Sequence, residues 1–365
     1  MRILTEQDLG YRTVQLTGRN SYIISLPKEW VLDIGLKKGS QLIFKRLEDS
    51  SLLLIPRMVL EEEERTRSTL KDFTVRITPK DDPKSIARRI MSLYAVSADI
   101  IHIRFKDGEI TSEQKMSIKT TARMLLGSEV IAESLTEITI QILINQLDFP
   151  VEKAVRRMFV IAKSMDAEAV LALKDFDERL IQDVINSDED LDRLSLYAIR
   201  QLKYGIEHNL FKEMGLRTSK EFLAYRIVVK NLENIGDSAV GTARNILALK
   251  RLTDEKILTL SESVDEEVHA TVLKCHSFGH LLLEDSLDAF FKRDYYLADE
   301  IISRFISTGL QLEKDTVSLM LSKKIDPILS SVLRLILDNS KKMMEYAKDI
   351  AEVTLNRTVE EISTS

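Results

Sequence analysis

No proline occurs between Pro150 and Pro327, and across that stretch leucine, isoleucine and alanine recur at spacings of three and four. Proline breaks a helix by removing a donor and clashing with the preceding turn, so its absence over such a length permits long unbroken helices. The spacing predicts six helices, at about 151–175, 177–214, 220–251, 255–292, 295–322 and 326–357. Several exceed the usual globular length without an internal breaker, which favours an antiparallel bundle. The same order of three long helices recurs after Leu252-Thr253-Asp254, so the region reads as two repeats, 151–251 and 252–357.

The first 57 residues follow a different grammar. Gly10, Gly18, Pro27, Gly35, Gly39 and Pro56 cut them into short apolar runs at Tyr11 to Leu16, Ser21 to Leu26, Gln41 to Lys45 and Leu52 to Ile55, which read as strands. Pro27 sits where a short helix would begin, and Gly35 where it would stop. Residues 58–69, rich in glutamate and arginine, read as a solvated linker. From 70 to 146 strand and helix patterns alternate: Phe73 to Ile77, a helix from Asp82 to Ala95, Asp99 to Phe105, a helix from Thr111 to Leu126, and one long or two shorter strands from Ser128 to Ile144. That segment is a small α+β domain with helices on one face of its sheet, and nothing in its sequence assigns it a role.

Charge is unevenly shared. Residues 1–57 carry nine Lys/Arg against six Asp/Glu, a net +3, whereas the rest carries 43 against 52, a net −9. A basic module joined to an acidic bundle suits a partner with phosphates at one end only. The single cysteine, Cys275, excludes an internal disulfide and reads as packing, which together with the absence of a signal peptide or an uncharged apolar span places the chain in the cytoplasm, outside any membrane. No phosphate loop, nucleophile elbow or dinucleotide motif occurs, so an enzyme is the poorest reading.

The string from Arg12 to Val31 (Arg-Thr-Val-Gln-Leu-Thr-Gly-Arg-Asn-Ser-Tyr-Ile-Ile-Ser-Leu-Pro-Lys-Glu-Trp-Val), followed by Gly35-Leu36-Lys37-Lys38-Gly39 and Leu52 to Pro56, resembles the AbrB/MazE/SpoVT swapped-hairpin DNA-binding family. The resemblance implies that two chains interlock their hairpins into one β-barrel, giving a homodimer. It implies DNA contacts from Arg12 and Arg19, with Gln15, Asn20 and Lys28 beside them. Guanidinium groups suit that task by pairing with phosphates and with guanine edges. The alternative is that these charges are simply solvated.

The helical half resembles PhoU, carried by Lys230 to Ala239 (Lys-Asn-Leu-Glu-Asn-Ile-Gly-Asp-Ser-Ala) and by Ile185 to Asp192 in the preceding helix. The fold class that follows is α+β and multidomain: a dimeric swapped-hairpin barrel, a small α+β middle domain and two three-helix PhoU repeats. The resemblance implies a divalent or iron-type metal cluster held by Asp188, Asp192, Glu233 and Asp237. Each pair is four residues apart and so shares a helix face, where like charges repel unless a cation or a basic neighbour such as Lys230 or Arg193 offsets them. Alignment of the second repeat puts Lys341, Glu345, Phe305 and Gly309 in the equivalent places, which limits the chain to one cluster, in the first repeat. His276, His280 and Glu284, at i, i+4 and i+8, could line one helix face for zinc, but no second helix offers an evident partner, and packing is the favoured reading. Met343 and Met344 read as core filling.

The fusion as a whole resembles archaeal-type phosphate uptake regulators, and implies a promoter-binding regulator of phosphate uptake and homeostasis. Two other readings stay open. One is a cytoplasmic adaptor docking on a phosphate ABC transporter; the other is a chromatin architectural protein that binds DNA without sequence preference.

Overall fold

Between Leu70 and Lys71 the chain divides into two units. The computed structural model describes residues 10–18, 21–46, 50–58, 70–106, 108–145, 148–175, 177–256, 266–323 and 325–363. The expected linker lies almost wholly outside the described residues.

In the N-terminal unit, β1 (Gln15–Thr17) pairs antiparallel with β2 (Ser21–Ile23), Leu16 opposite Tyr22. Pro27 caps α1 (Lys28–Asp33), and Gly35, with φ +66°, takes the left-handed conformation that ends it. β3 (Leu42–Arg46) then pairs antiparallel with β4 (Leu52–Pro56), Phe44 opposite Leu54. These are two separate two-stranded sheets, and the single chain closes no barrel among the described residues. The expected strands from Tyr11 and to Leu26 shrink to three residues each, because a lone hairpin has no second neighbour to hydrogen-bond its flanks.

The second unit begins with a four-stranded sheet in the order β5 (Asp72–Ile77), β6 (Ile100–Phe105), β8 (Glu137–Ile142), β7 (Ser128–Glu133). β5 and β6 are parallel and joined through α2 (Pro83–Ala95); the other pairs are antiparallel, and α3 (Ser112–Met124) crosses between β6 and β7. Alternation of side chains puts Val75, Ile77, Ile101, Ile103, Ile138 and Ile140 under the two helices, against Ile86, Ile90 and Ile118. Both helix starts are fixed locally. Asp82 accepts from the Ser85 amide at 2.9 Å, and Thr111 with Gln114 forms a reciprocal capping box.

The helices that follow are α4 (Val151–Asp175), α5 (Glu178–Glu207), α6 (Glu221–Asp254), α7 (Glu266–Lys292), α8 (Tyr295–Arg304), α9 (Leu310–Ser322) and α10 (Pro327–Ser363). α4, α5 and α6 pack on one another, α7 and α8 pack on α10, and α6 against α10 joins the two sets. α5 stops seven residues short of the expected 214 because Asn209 turns left-handed at φ +53°, a conformation asparagine tolerates. The expected fifth helix is interrupted by a π-helical turn, Phe305–Gly309.

Arg200 ties the sheet domain to the bundle. Fully buried on α5, it donates to the Tyr94 carbonyl at 2.8 Å and the Ala98 carbonyl at 2.7 Å, and lies over the Tyr94 ring. Glu221 joins the two helical sets: its buried carboxylate accepts from Arg293 at 2.6 Å and from Arg357 at 2.9 Å.

Candidate metal centre and nucleic-acid interface

Arg12, Gln15 and Lys28 are all exposed. Arg12 precedes β1 and donates to the Tyr11 carbonyl at 2.8 Å; Gln15 opens β1 opposite Ile23, and Lys28 opens α1. Arg19 and Asn20 lie outside the described residues.

Asp188 and Asp192 sit on α5 and Glu233 and Asp237 on α6, on either side of a contact between Gly236 and Leu191. A Cβ on Gly236 would stand 2.2 Å from Leu191 Cδ2 and 3.6 Å from Asp188 Oδ1, so only glycine lets the carboxylate-bearing turns approach this far. The acids feel one another. Burial, then the charges of Asp188, Glu233 and Asp237, pushes the Asp192 carboxyl up to about 6. Burial, followed by Asp237, also raises Asp188, while burial, followed by Glu233, raises Asp237. Lys230 pairs with Glu233, and Arg244 opposes the rise at Asp188 and Asp237. Acids held above their ordinary range by burial and then by one another are more easily ionised beside an added cation.

A family model described as PhoU domain matches residues 155–246, a span from α4 into α6 that takes in all four carboxylates. The chain carries a PhoU domain. A second model, antidote-toxin recognition MazE, bacterial antitoxin, matches residues 15–60, so a MazE-type module lies ahead of the PhoU domain. Among solved structures the chain is similar to PhoU from Pseudomonas aeruginosa, at 19% identity over 57% of this chain and 96% of that one, with a TM-score of 0.48. It is also similar to the phosphate transport system regulatory protein PhoU from Streptococcus pneumoniae, at 18% identity over 57% and 92%, with a TM-score of 0.44. No curated protein matches the chain.

The PhoU match ends inside α6, and the second helical set lies beyond it. There the positions aligned with the acids are occupied differently. Phe305 and Gly309 are buried, and a Cβ on Gly309 would meet Met344 Sδ at 3.1 Å and Phe278 at 3.4 Å. Lys341 is 3.6 Å from Glu313. One residue of the PhoU domain was beyond the reach of spacing arguments. Asp166, on α4, faces His276 and His280 on α7, whereas Glu284, the third residue of the i, i+4, i+8 series, pairs instead with Lys163. The second helix that the histidines lacked in the sequence is supplied by the fold.

Proposed function

We propose that this chain is a dimeric, DNA-binding transcriptional regulator of phosphate uptake and phosphate homeostasis. The observation that carries the reading is the fusion itself: a net-positive MazE-type module on a chain whose first helical set, over residues 155–246, matches the PhoU domain. The PhoU domain bears on phosphate homeostasis, and the MazE-type module is compatible with DNA binding. In the single chain only Pro56 is buried among the described residues of that module, while Tyr22 is 75% and Phe44 61% exposed. So small an apolar set cannot form a core alone, and a second copy whose hairpins interlock with it into a barrel would cover it. Arg12, Gln15, Arg19, Asn20 and Lys28 would then grip promoter DNA from both halves of the dimer.

In this reading the PhoU bundle is the sensing or partner-docking half. Asp188, Asp192, Glu233 and Asp237 would hold a divalent or iron-type cluster, since carboxylate oxygen donors suit a hard or borderline cation. A phosphate ABC transporter is the partner whose state such a bundle would report.

Fluorescence anisotropy of the full chain with its own upstream DNA and with an unrelated duplex, at two salt concentrations, tests this. Preferential binding that weakens with salt and is lost in Arg12→Ala/Arg19→Ala supports the regulator. Equal binding to both duplexes points to an architectural protein, and binding to neither points to a transporter adaptor.

A further inference from the structure

We propose that Asp166, His276 and His280 form a binding site for one divalent transition-metal ion, separate from the four carboxylates and bridging the two helical sets. Asp166 Oδ2 lies 2.9 Å from His276 Nε2 and 3.0 Å from His280 Nδ1. Asp166 and His276 are both buried. Adjacent ligands of a six-coordinate ion with bonds of about 2.1 Å stand about 3.0 Å apart, so the two Asp166 edges match one coordination shell, and all three ligand atoms lie within 4.8 Å of one another.

The hydrogen bonding around His276 distinguishes this from an ordinary buried histidine–aspartate pair. Ser340 Oγ donates to the Ile336 carbonyl at 3.0 Å, which leaves it to accept from His276 Nδ1 at 3.4 Å. With the imidazole proton on Nδ1, the tautomer this contact favours, Nε2 presents a lone pair. That nitrogen is buried and has no hydrogen-bond partner, although the Asp166 oxygen is close: the two atoms are neighbours out of line with each other. His280 Nδ1, by contrast, is hydrogen-bonded to Asp166 Oδ2 at 3.0 Å, so a bound ion would replace that one proton and take the His276 lone pair as it stands. An oxygen acceptor on the far ring nitrogen, here the Ser340 hydroxyl, is the kind of support that orients a metal-bound histidine.

The donor set identifies the class of ion. Two imidazole nitrogens and one carboxylate favour zinc, iron, cobalt, nickel or copper over magnesium and calcium, which prefer all-oxygen shells. Asp166 comes from α4 and both histidines from α7, so a bound ion would tie the first helical set to the second.

The test uses tag-free full-length chain in an Asp188→Asn/Asp237→Asn background, so that the carboxylate cluster does not contribute. After stripping with chelator it is titrated with Zn(II) and separately with Mg(II), with calorimetry and elemental analysis as readouts. The expected result is one zinc per chain, at least about a hundredfold preference over magnesium, a loss of at least about tenfold in affinity in His280→Gln, and a smaller loss in Ser340→Ala. His280 is partly exposed, so His280→Gln remains informative even if Asp166→Asn fails to fold. Absence of zinc uptake in that background, uptake unchanged by His280→Gln, or equal binding of magnesium would each overturn the proposal. Failure of promoter binding would leave it standing, because none of these residues belongs to the MazE-type module.

Discussion

Gly236 and Leu191 meet where α6 crosses α5, with room for a hydrogen but none for a methyl: an added Cβ would stand 2.2 Å from Leu191 Cδ2. Gly236→Ala gains about 0.5–1 kcal/mol of helix propensity but overpacks a buried contact at about 1–3 kcal/mol. Leu191 is fully buried and has no free space to rotate into, so the net effect is a destabilisation of about 1 kcal/mol. Urea unfolding checks this, and an alanine variant more stable than the parent would contradict it.

Arg200→Ala removes a buried cation and leaves the Tyr94 and Ala98 carbonyls without their donor. The expected cost is about 1–3 kcal/mol for each orphaned carbonyl. Arg200→Lys should recover little, since one ammonium cannot copy the guanidinium fork. If lysine restored full stability in chemical denaturation, the fork would not be what matters.

Asp192 supplies a pH dependence whose sign can be worked out. Its folded pKa of about 6 lies above the ordinary 3.8, so the folded chain binds this proton more tightly than the unfolded one. The group's stabilising contribution is full below about pH 4 and is lost as pH rises through 6. In metal-free protein, the parent's denaturation midpoint should therefore fall relative to that of Asp192→Asn between pH 4.5 and 6.5. A difference that stayed constant across this window would rule the shift out.

Burial, with a smaller push from Glu313, raises the Cys275 thiol to about 11. The thiolate is the reactive form, so the native chain at pH 8 should resist a disulfide reagent that labels the unfolded chain at once. Fast stoichiometric labelling of the native protein would show the residue to be accessible.

Local rules read well here. Asp82-Pro83 and the Thr111/Gln114 pair mark helix starts in the sequence as plainly as in the fold, because capping involves residues only a few positions apart. Three features needed the third dimension. The π turn at Phe305–Gly309 shifts the helical phase by less than a residue-spacing argument can sense. The N-terminal strands depend on neighbours that a single chain does not supply. Asp166 is separated from His276 by two whole helices and parts of two more, and only their packing brings the two side chains together. The acids of α5 and α6 were visible as pairs on each helix, whereas the glycine contact that sets their approach was visible only as a motif letter.

The Glu221 clamp bears on how such a bundle could be taken apart. Its carboxylate belongs to the first set of helices and both its arginines to the second. A chain cut between α6 and α7 would therefore leave a buried acid without either of its bases in one fragment and Arg357 without its acid in the other, while Arg293 would keep Glu361. The two helical sets are thus not independent modules: the first carries a buried charge that the second neutralises, and the Arg357 charge of the second is neutralised by the first.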